Sequence, residues 1–366
     1  MTSTSALFKP FSLGSLELSN RIVMAPMTRS KSPGGVPGEN VAAYYRRRAE
    51  NAVGLIVTEG TTVDRPGASF DPAIPNFHNP DSLEGWRKVV EAVHEAGGKI
   101  APQLWHVGLA RRPGTGPNPD AASDSPSGVL PDGKQVGEPM SAEDIADTIS
   151  AFAKAAKAAV ETGFDAIELH GAHGYLLDQF FWEGMNRRDD RYGGGLTART
   201  QIVQDIVRAV RAEIPADMPL ILRYSQWKQQ DYNAKLAETP DALAEFLGPL
   251  SDAGVDMFHA STRRFWIPEF EGSDLNLAGW TKKLTGKPAI TVGSVGLNSD
   301  FLGAFMGENS PASSLDHLIE RLENDEFDLV AVGRALISDP EWAAKVRDGR
   351  FDELSDFNAE KLKELV

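Results

Sequence analysis

The chain has 366 residues, 52 of them Asp or Glu and 37 Lys or Arg, for a net charge of −15, and 41% are hydrophobic. The hydrophobic share fits an ordinary globular protein, and the acidic balance excludes a broad nucleic-acid or anionic-membrane surface, which needs excess positive charge. Cysteine is absent, which removes disulfides, thiolate nucleophiles and Cys-ligated metal centres together. No apolar run nears the ~18 residues of a membrane-spanning helix, and Met1–Pro10 lacks the basic and apolar regions of a secretory signal. The expectation is a folded cytoplasmic enzyme of one domain, residues 1–366.

In chain order, Phe8–Ser19 comes first, with Gly14 among apolar residues, and reads as a hairpin plugging the base of the fold. Strands are expected at Ile22–Met27 and Leu55–Glu59. Asp81 and Glu84 then open a helix carrying Leu83, Trp86, Val89, Val90 and Val93 at helical spacing, closed by Gly97-Gly98. Lys99–Trp105 is the third strand. The Pro-, Gly-, Ser- and Asp-rich stretch Arg111–Pro139 behind it is a long loop of the kind that forms lids or binding loops. Ser141-x-x-Asp144 is a capping box ahead of Ile145, Ile149, Phe152, Ala156 and Val160. Further strands fall at Asp165–His170, Leu220–Ser225 and Val255–Ala260, with Thr239-Pro240 opening a helix between the last two. Ala289–Gly293 and Asp328–Gly333 complete eight strands, and Asp339-Pro340 caps a last helix ended by Gly349.

Most of these runs are continuously apolar, as strands covered on both faces are. Strand and helix repeated eight times give an α/β fold, a (β/α)8 TIM barrel with an N-terminal hairpin and a long loop after strand 3. A doubly wound sheet is the alternative. It usually needs a Gly-rich nucleotide turn, whereas the first strand ends in Ala25-Pro26-Met27-Thr28 and no G-x-G-x-x-G occurs.

Several motifs fail. Gly128, Gly133 and Lys134 have P-loop spacing, but Gln135 stands where Ser or Thr is required. No Ser occupies a G-x-S-x-G elbow. Glu59 and Glu168 could serve a glycosidase, yet the seventh strand offers no carboxylate.

Chemistry in a barrel collects where strands end. Gly293-Ser294-Val295-Gly296 after strand seven and Gly333-Arg334 after strand eight fit a phosphate site, with close backbone N–H groups and a bidentate cation. A plainer reading makes them tight turns and a surface ion pair. His170-Gly-Ala-His173-Gly-Tyr175 is the densest titratable cluster. It admits a metal site with Glu168 as third ligand, and so a metal-dependent hydrolase using His170 and His173. It equally admits a hydrogen-bond pair for a carbonyl or nitro oxygen with Tyr175 as proton donor, or simple packing. Arg223 lies inside an apolar run and needs an anion. Glu59 or Glu168 would do, as would a ligand that becomes negative, such as a reduced flavin at N1 and O2. Gln103 offers the donor and acceptor an imide edge requires. Trp105, Phe265 and Trp266 stand near the same rim and suit a flat-ligand pocket.

Six pieces in order resemble a known family. They are Arg21–Arg29 (RIVMAPMTR), Thr58–Thr61 (TEGT), Gln103–Gly108 (QLWHVG), His170–Phe180 (HGAHGYLLDQF), the group Asn186, Arg188, Asp190, Tyr192, Gly193 and Gly194, and Gly333-Arg334. Together they are similar to the old yellow enzymes, FMN-dependent NAD(P)H:enone oxidoreductases or ene-reductases. Thr28, where a second subgroup has Cys, resembles the Thr type. The resemblance implies bound FMN with Thr28 on the flavin O4, and with Ala25, Pro26, Met27 and Gly60 lining the isoalloxazine. Gln103 would meet the pyrimidine edge and Arg223 the N1/O2 charge, with His170 also among the cofactor-binding residues. Gly293, Ser294, Val295, Gly333 and Arg334 would hold the phosphate. It further implies that His170 and His173 bind the substrate's activating oxygen, and that Tyr175 protonates Cα while hydride reaches Cβ. Trp105, Phe265 and Trp266 would flank that substrate. NADPH or NADH would be a visiting co-substrate, followed by enones, nitroalkenes or quinones. A homo-oligomer is compatible; a resident metal, nucleic acid or membrane is not implied. The chain departs from the family pattern at Tyr224-Ser225-Gln226-Trp227, where Leu-Ser-Pro is frequent, at Asp189 and Gly195, and at Leu109, where Arg is usual.

Overall fold

The computed structural model describes residues 3–299, 303 and 307–366. A hairpin of β1 (Phe11–Leu13) and β2 (Leu16–Leu18) precedes the first barrel strand, β3 (Ile22–Met24). Gly14 turns it at φ 56°, and a side chain there would collide with the Asp217 carbonyl, which accepts the Ser15 N–H at 2.8 Å. After β3 the chain alternates: α1 (Glu39–Glu50), β4 (Leu55–Thr62), α2 (Pro80–Glu95), β5 (Lys99–Trp105), α3 (Ala142–Thr162) and β6 (Ile167–His173). It continues through α4 (Leu176–Phe181), α5 (Leu196–Arg199), α6 (Gln201–Arg211), β7 (Leu220–Lys228), α7 (Pro240–Ala253), β8 (Met257–Ser261), α8 (Leu277–Thr285) and β9 (Ala289–Val292). Last come α9 (Asp316–Glu323), β10 (Leu329–Val332), α10 (Arg334–Ser338) and α11 (Trp342–Arg347).

Strands β3 to β10 close in the order β10-β3-β4-β5-β6-β7-β8-β9, every pairing parallel. This is the (β/α)8 barrel the sequence predicts. Its lumen is filled by Val23, Leu55, Val57, Ala101, Ile221, Met257, Ile290 and Leu329, and Leu16 and Leu18 of the hairpin join the same cluster from below. The plug therefore closes the end opposite the one where strands deliver their C-terminal residues. A larger apolar layer packs the outer faces of the strands against the helices.

Local signals explain the helix starts. The Ser141 hydroxyl accepts the Asp144 N–H while the Asp144 carboxylate accepts the Ser141 N–H, so the capping box forms as written. The Thr239 hydroxyl likewise accepts the Ala242 N–H at the start of α7, ahead of Pro240. At Asp339-Pro340 the Asp339 carboxylate accepts the Glu341 N–H at 3.2 Å and its carbonyl accepts the Trp342 N–H at 3.1 Å, so the pair opens the turn from which helix α11 runs on at Trp342, and Lys345 also holds both oxygens of Asp339 at 3.0 Å. Residues 111–139 are tied to the rest of the fold at Asp124. Arg65 ties Asp124 of that loop to Asp144 of α3, and Asp124 also contacts the buried His106 at 2.8 Å. Among the described residues, no helix is long and apolar enough to cross a membrane.

Candidate active site

A cavity of about 480 Å³ opens at the C-terminal end of the barrel strands, within the ~300–1,000 Å³ span of cofactor and small-molecule sites. Ala25, Pro26, Met27 and Thr28 enter it from the end of β3, Gln103 and Trp105 from β5, and His170, His173 and Tyr175 from β6 and its turn. Arg223 comes from β7, and Gly293, Ser294, Val295, Gly333 and Arg334 from the ends of β9 and β10.

The turn after β6 is unusual. His173 has φ 65° and Gly174 φ 79°, and the register with β7 shifts between Gly171 and His173. A non-glycine residue in the left-handed region costs about 1–3 kcal/mol and persists only where its surroundings enforce it. Here the Ser225 hydroxyl accepts the His173 N–H at 3.0 Å, and Asp178 accepts the Gly174 N–H at 2.7 Å. The result brings three rings together. His170 stacks on Trp105 with centroids 5.8 Å apart and stands 5.0 Å from Tyr175, which meets Trp105 edge-on at 4.8 Å. His173 is 5.3 Å from His170, and its Nε2 contacts the Ser261 hydroxyl at 2.8 Å. Burial, reinforced by the Arg223 charge, holds both imidazoles well below their usual pKa, so both are neutral.

Arg223 is buried, and among the described residues its guanidinium donates only to Ser261, at 3.3 Å. Burial pulls it down to about 10. Glu168, weighed as its partner, is held instead by the Gln103 amide at 2.8 Å and by His259 at 2.7 Å. Those bonds also remove Glu168 from His170 and His173 as a third ligand. Among the described residues, no group of three or more His, Asp or Glu side chains is arranged to hold a metal ion. At the other side, the Arg334 guanidinium donates to Ser294 Oγ at 3.1 Å and to the Ser299 carbonyl at 2.5 Å. Gly293 has φ 146°, and a Cβ there would lie 2.8 Å from the Thr262 carbonyl oxygen and 2.9 Å from the Arg264 nitrogen, so backbone approaches backbone closely at this turn.

Residues 6–353 match the NADH:flavin oxidoreductase / NADH oxidase family. The chain belongs to it: it is an old yellow enzyme. It is 33% identical over 357 residues to 12-oxophytodienoate reductase 7 of Oryza sativa subsp. japonica, covering 93% of this chain and 87% of that relative. It is also 33% identical to flavin oxidoreductase hxnT of Emericella nidulans, over 94% and 90% of the two chains. A structure of morphinone reductase in complex with tetrahydroNAD superposes with a TM-score of 0.79 at 28% identity, over 97% of this chain and 93% of the other. An old yellow enzyme is an NAD(P)H-dependent flavin oxidoreductase, which replaces the metal-dependent hydrolase as the reading of the His170–His173 pair.

The residues present fit a flavin. Arg223 Nε, His170 Nδ1 and Trp105 Nε1, all on cavity-lining side chains, are buried without a hydrogen-bond partner. Each such atom costs about 1–3 kcal/mol unless something satisfies it. A buried cation with no carboxylate in contact among the described residues suits a ring system that carries negative charge at one edge.

Three expected residues stand outside the cavity of this old yellow enzyme. Gly60 lies beneath Trp105, whose ring a Cβ there would strike, so its lack of a side chain makes room for the indole. Phe265 is buried among core side chains and Trp266 packs edge-on to it at 5.2 Å; Trp266 lines a separate surface depression with Lys282 and Arg321. Sequence reading missed Phe70, Trp227, Gln229, Ser261, Phe357 and Leu362, which do line the cavity. Trp227 and Gln229 follow from β7 running on through Lys228, three residues past its apolar stretch. Leu362 arrives from a tail segment that Arg29 fastens through the carbonyls of Lys361, Leu362 and Glu364.

Proposed function

We propose that this old yellow enzyme is an FMN-dependent ene-reductase, taking reducing equivalents from NADPH or NADH and passing them to alkenes activated by a carbonyl or nitro group. When bound, FMN would supply the hydride-transfer chemistry that connects the nicotinamide to the alkene Cβ. Arg223 would hold the N1/O2 edge, Gln103 the pyrimidine edge and Thr28 the O4 position. Ala25, Pro26 and Met27 would flank the ring, and Gly293, Ser294, Val295, Gly333 and Arg334 would hold the phosphate. His170 and His173, kept neutral by burial, would hydrogen-bond the substrate's activating oxygen and polarise the double bond. Tyr175 would give its phenolic proton to Cα, and Trp105 would bound the pocket behind it.

The observation that carries this reading is one cavity with Arg223, in contact with no carboxylate among the described residues, on one wall and the His170, His173 and Tyr175 rings on the next. The test is the visible spectrum of the purified protein, then anaerobic titration with NADPH and addition of cyclohexenone. A yellow protein that bleaches and regains its colour is expected. A colourless protein that takes up no added FMN overturns the proposal. Tyr175→Phe should keep the colour and the bleaching but slow recovery with cyclohexenone; unchanged recovery would remove Tyr175 from its role.

A further inference from the structure

The reading of Tyr175 as proton donor leaves one neighbour unexplained. Gln229 Nε2 donates to the Tyr175 phenol oxygen at 3.0 Å, and among the described residues the phenol makes no other hydrogen bond. Because the amide N–H uses an oxygen lone pair, the phenol's own proton is not consumed by this contact. It is free to point at whatever occupies the cavity, which both side chains line.

Gln229 is an exposed residue at the cavity mouth, but its backbone is fixed on both sides. Lys228 pairs with His173 across the β6–β7 ladder, and the Gln229 N–H donates to the His173 carbonyl at 3.3 Å. Lys228 Nζ meets Asp178 at 2.6 Å, both side chains fully buried, and Asp178 accepts the Gly174 N–H. The Gln230 amide reaches the Gly174 carbonyl at 3.3 Å. Three consecutive residues thus grip the turn that presents the phenol, and the middle one touches the reacting oxygen.

We propose that Gln229 is a catalytic residue of the oxidative half-reaction, aiming the Tyr175 proton into the cavity and holding the phenolate as that proton leaves. In the step, the Tyr175 O–H bond breaks and a C–H bond forms at the substrate Cα, whose electron pair comes from the enolate left by hydride addition. The oxygen keeps its own pair, now shared with the Gln229 N–H, and solvent later returns the proton. Among the described residues, the other charged or titratable groups facing the phenol are Arg223 and His170, and His170 is neutral. The inference rests on the proton-donor reading, so Tyr175→Phe runs alongside.

Gln229→Leu removes the donor. Gln229→Glu keeps the shape but presents an acceptor that draws the phenol proton away from the cavity. Recovery of flavin colour with cyclohexenone should slow about three- to tenfold in Gln229→Leu, the worth of one hydrogen bond, and further in Gln229→Glu. The solvent deuterium isotope effect on that step should rise, while bleaching by NADPH and cyclohexenone affinity hold. Reoxidation by a nitroalkene should also hold, since a nitronate is stable without immediate protonation. Independently of turnover, ultraviolet difference titration against Tyr175→Phe should show the phenol ionising at higher pH in Gln229→Leu. Normal cyclohexenone recovery and an unmoved phenol titration in folded Gln229→Leu and Gln229→Glu, beside a slow Tyr175→Phe, overturn this inference alone. A silent Tyr175→Phe overturns the proton-donor reading and this inference with it.

Discussion

At Arg223 two demands meet. The guanidinium is buried and pulled down to about 10, yet it has only a serine hydroxyl to bond among the described residues. Arg223→Met should bind FMN more weakly or shift its reduction potential; equilibrium dialysis and spectroelectrochemistry read the two, and no change in either would remove the assigned role. Glu59 shows a second buried charge. It accepts the N–H groups of Arg29 and Ser30 at 2.8 and 3.1 Å and so shapes the loop after Thr28, but burial still pushes its carboxyl up to about 7. Unfolded, a glutamate titrates near ~4.3. The folded chain therefore binds this proton more tightly, and the group's contribution to stability falls as pH rises from ~4.3 to about 7, then levels off. Glu59→Gln should flatten that part of the stability profile in urea melts; an unaltered slope would show that Glu59 is ionised throughout. His170, His173, Tyr175 and Arg223 were legible because a strand end in a barrel is a place as well as a sequence position. Phe265 and Trp266 misled because aromatic rings serve core and pocket alike, and only packing decides which. Gln229 carried no mark at all: a glutamine acquires its role from the atom it reaches.

Strands were legible as apolar runs, and the misreadings lie at their ends. The runs Asp165–His170 and Leu220–Ser225 lack the residues by which β6 reaches His173 and β7 reaches Lys228. Those extra residues are mixed in polarity because one side meets the cavity and the other a buried ion pair, so hydrophobicity could not announce them. The Lys228–Asp178 pair holds the two extensions together. Burial lowers the lysine pKa and raises that of the aspartate, each opposed by its partner. Lys228→Met alone should destabilise the protein by about 3–5 kcal/mol, since it strands a buried carboxylate. Lys228→Met with Asp178→Leu should recover part of that loss in denaturant melts; a double-variant loss equal to the sum of the two single-variant losses would show that the two groups do not depend on each other.

For the molecule as a whole, barrel closure and the floor beneath it are separate achievements of the sequence. Eight apolar runs foretold the closed sheet. The hairpin was signalled only by Gly14, and its two leucines complete a lumen that the strands leave short of side chains at the base. Leu16→Ala should therefore cost about 2–5 kcal/mol, read by thermal or urea unfolding, while the visible spectrum stays unchanged because the cavity lies at the other end. A drop below that range would mean the lumen collapses to fill the gap.

The fastening of residues 361–364 by Arg29 has a thermodynamic corollary. Leu362 belongs to the cavity wall, so on the proposed reading FMN uptake and docking of this segment would be linked equilibria, each favouring the other by the same factor. Loading with FMN should shield the segment from limited proteolysis, and Arg29→Ala should bleed cofactor on dilution, turning a few carbonyl contacts into the latch that governs how long the enzyme stays charged.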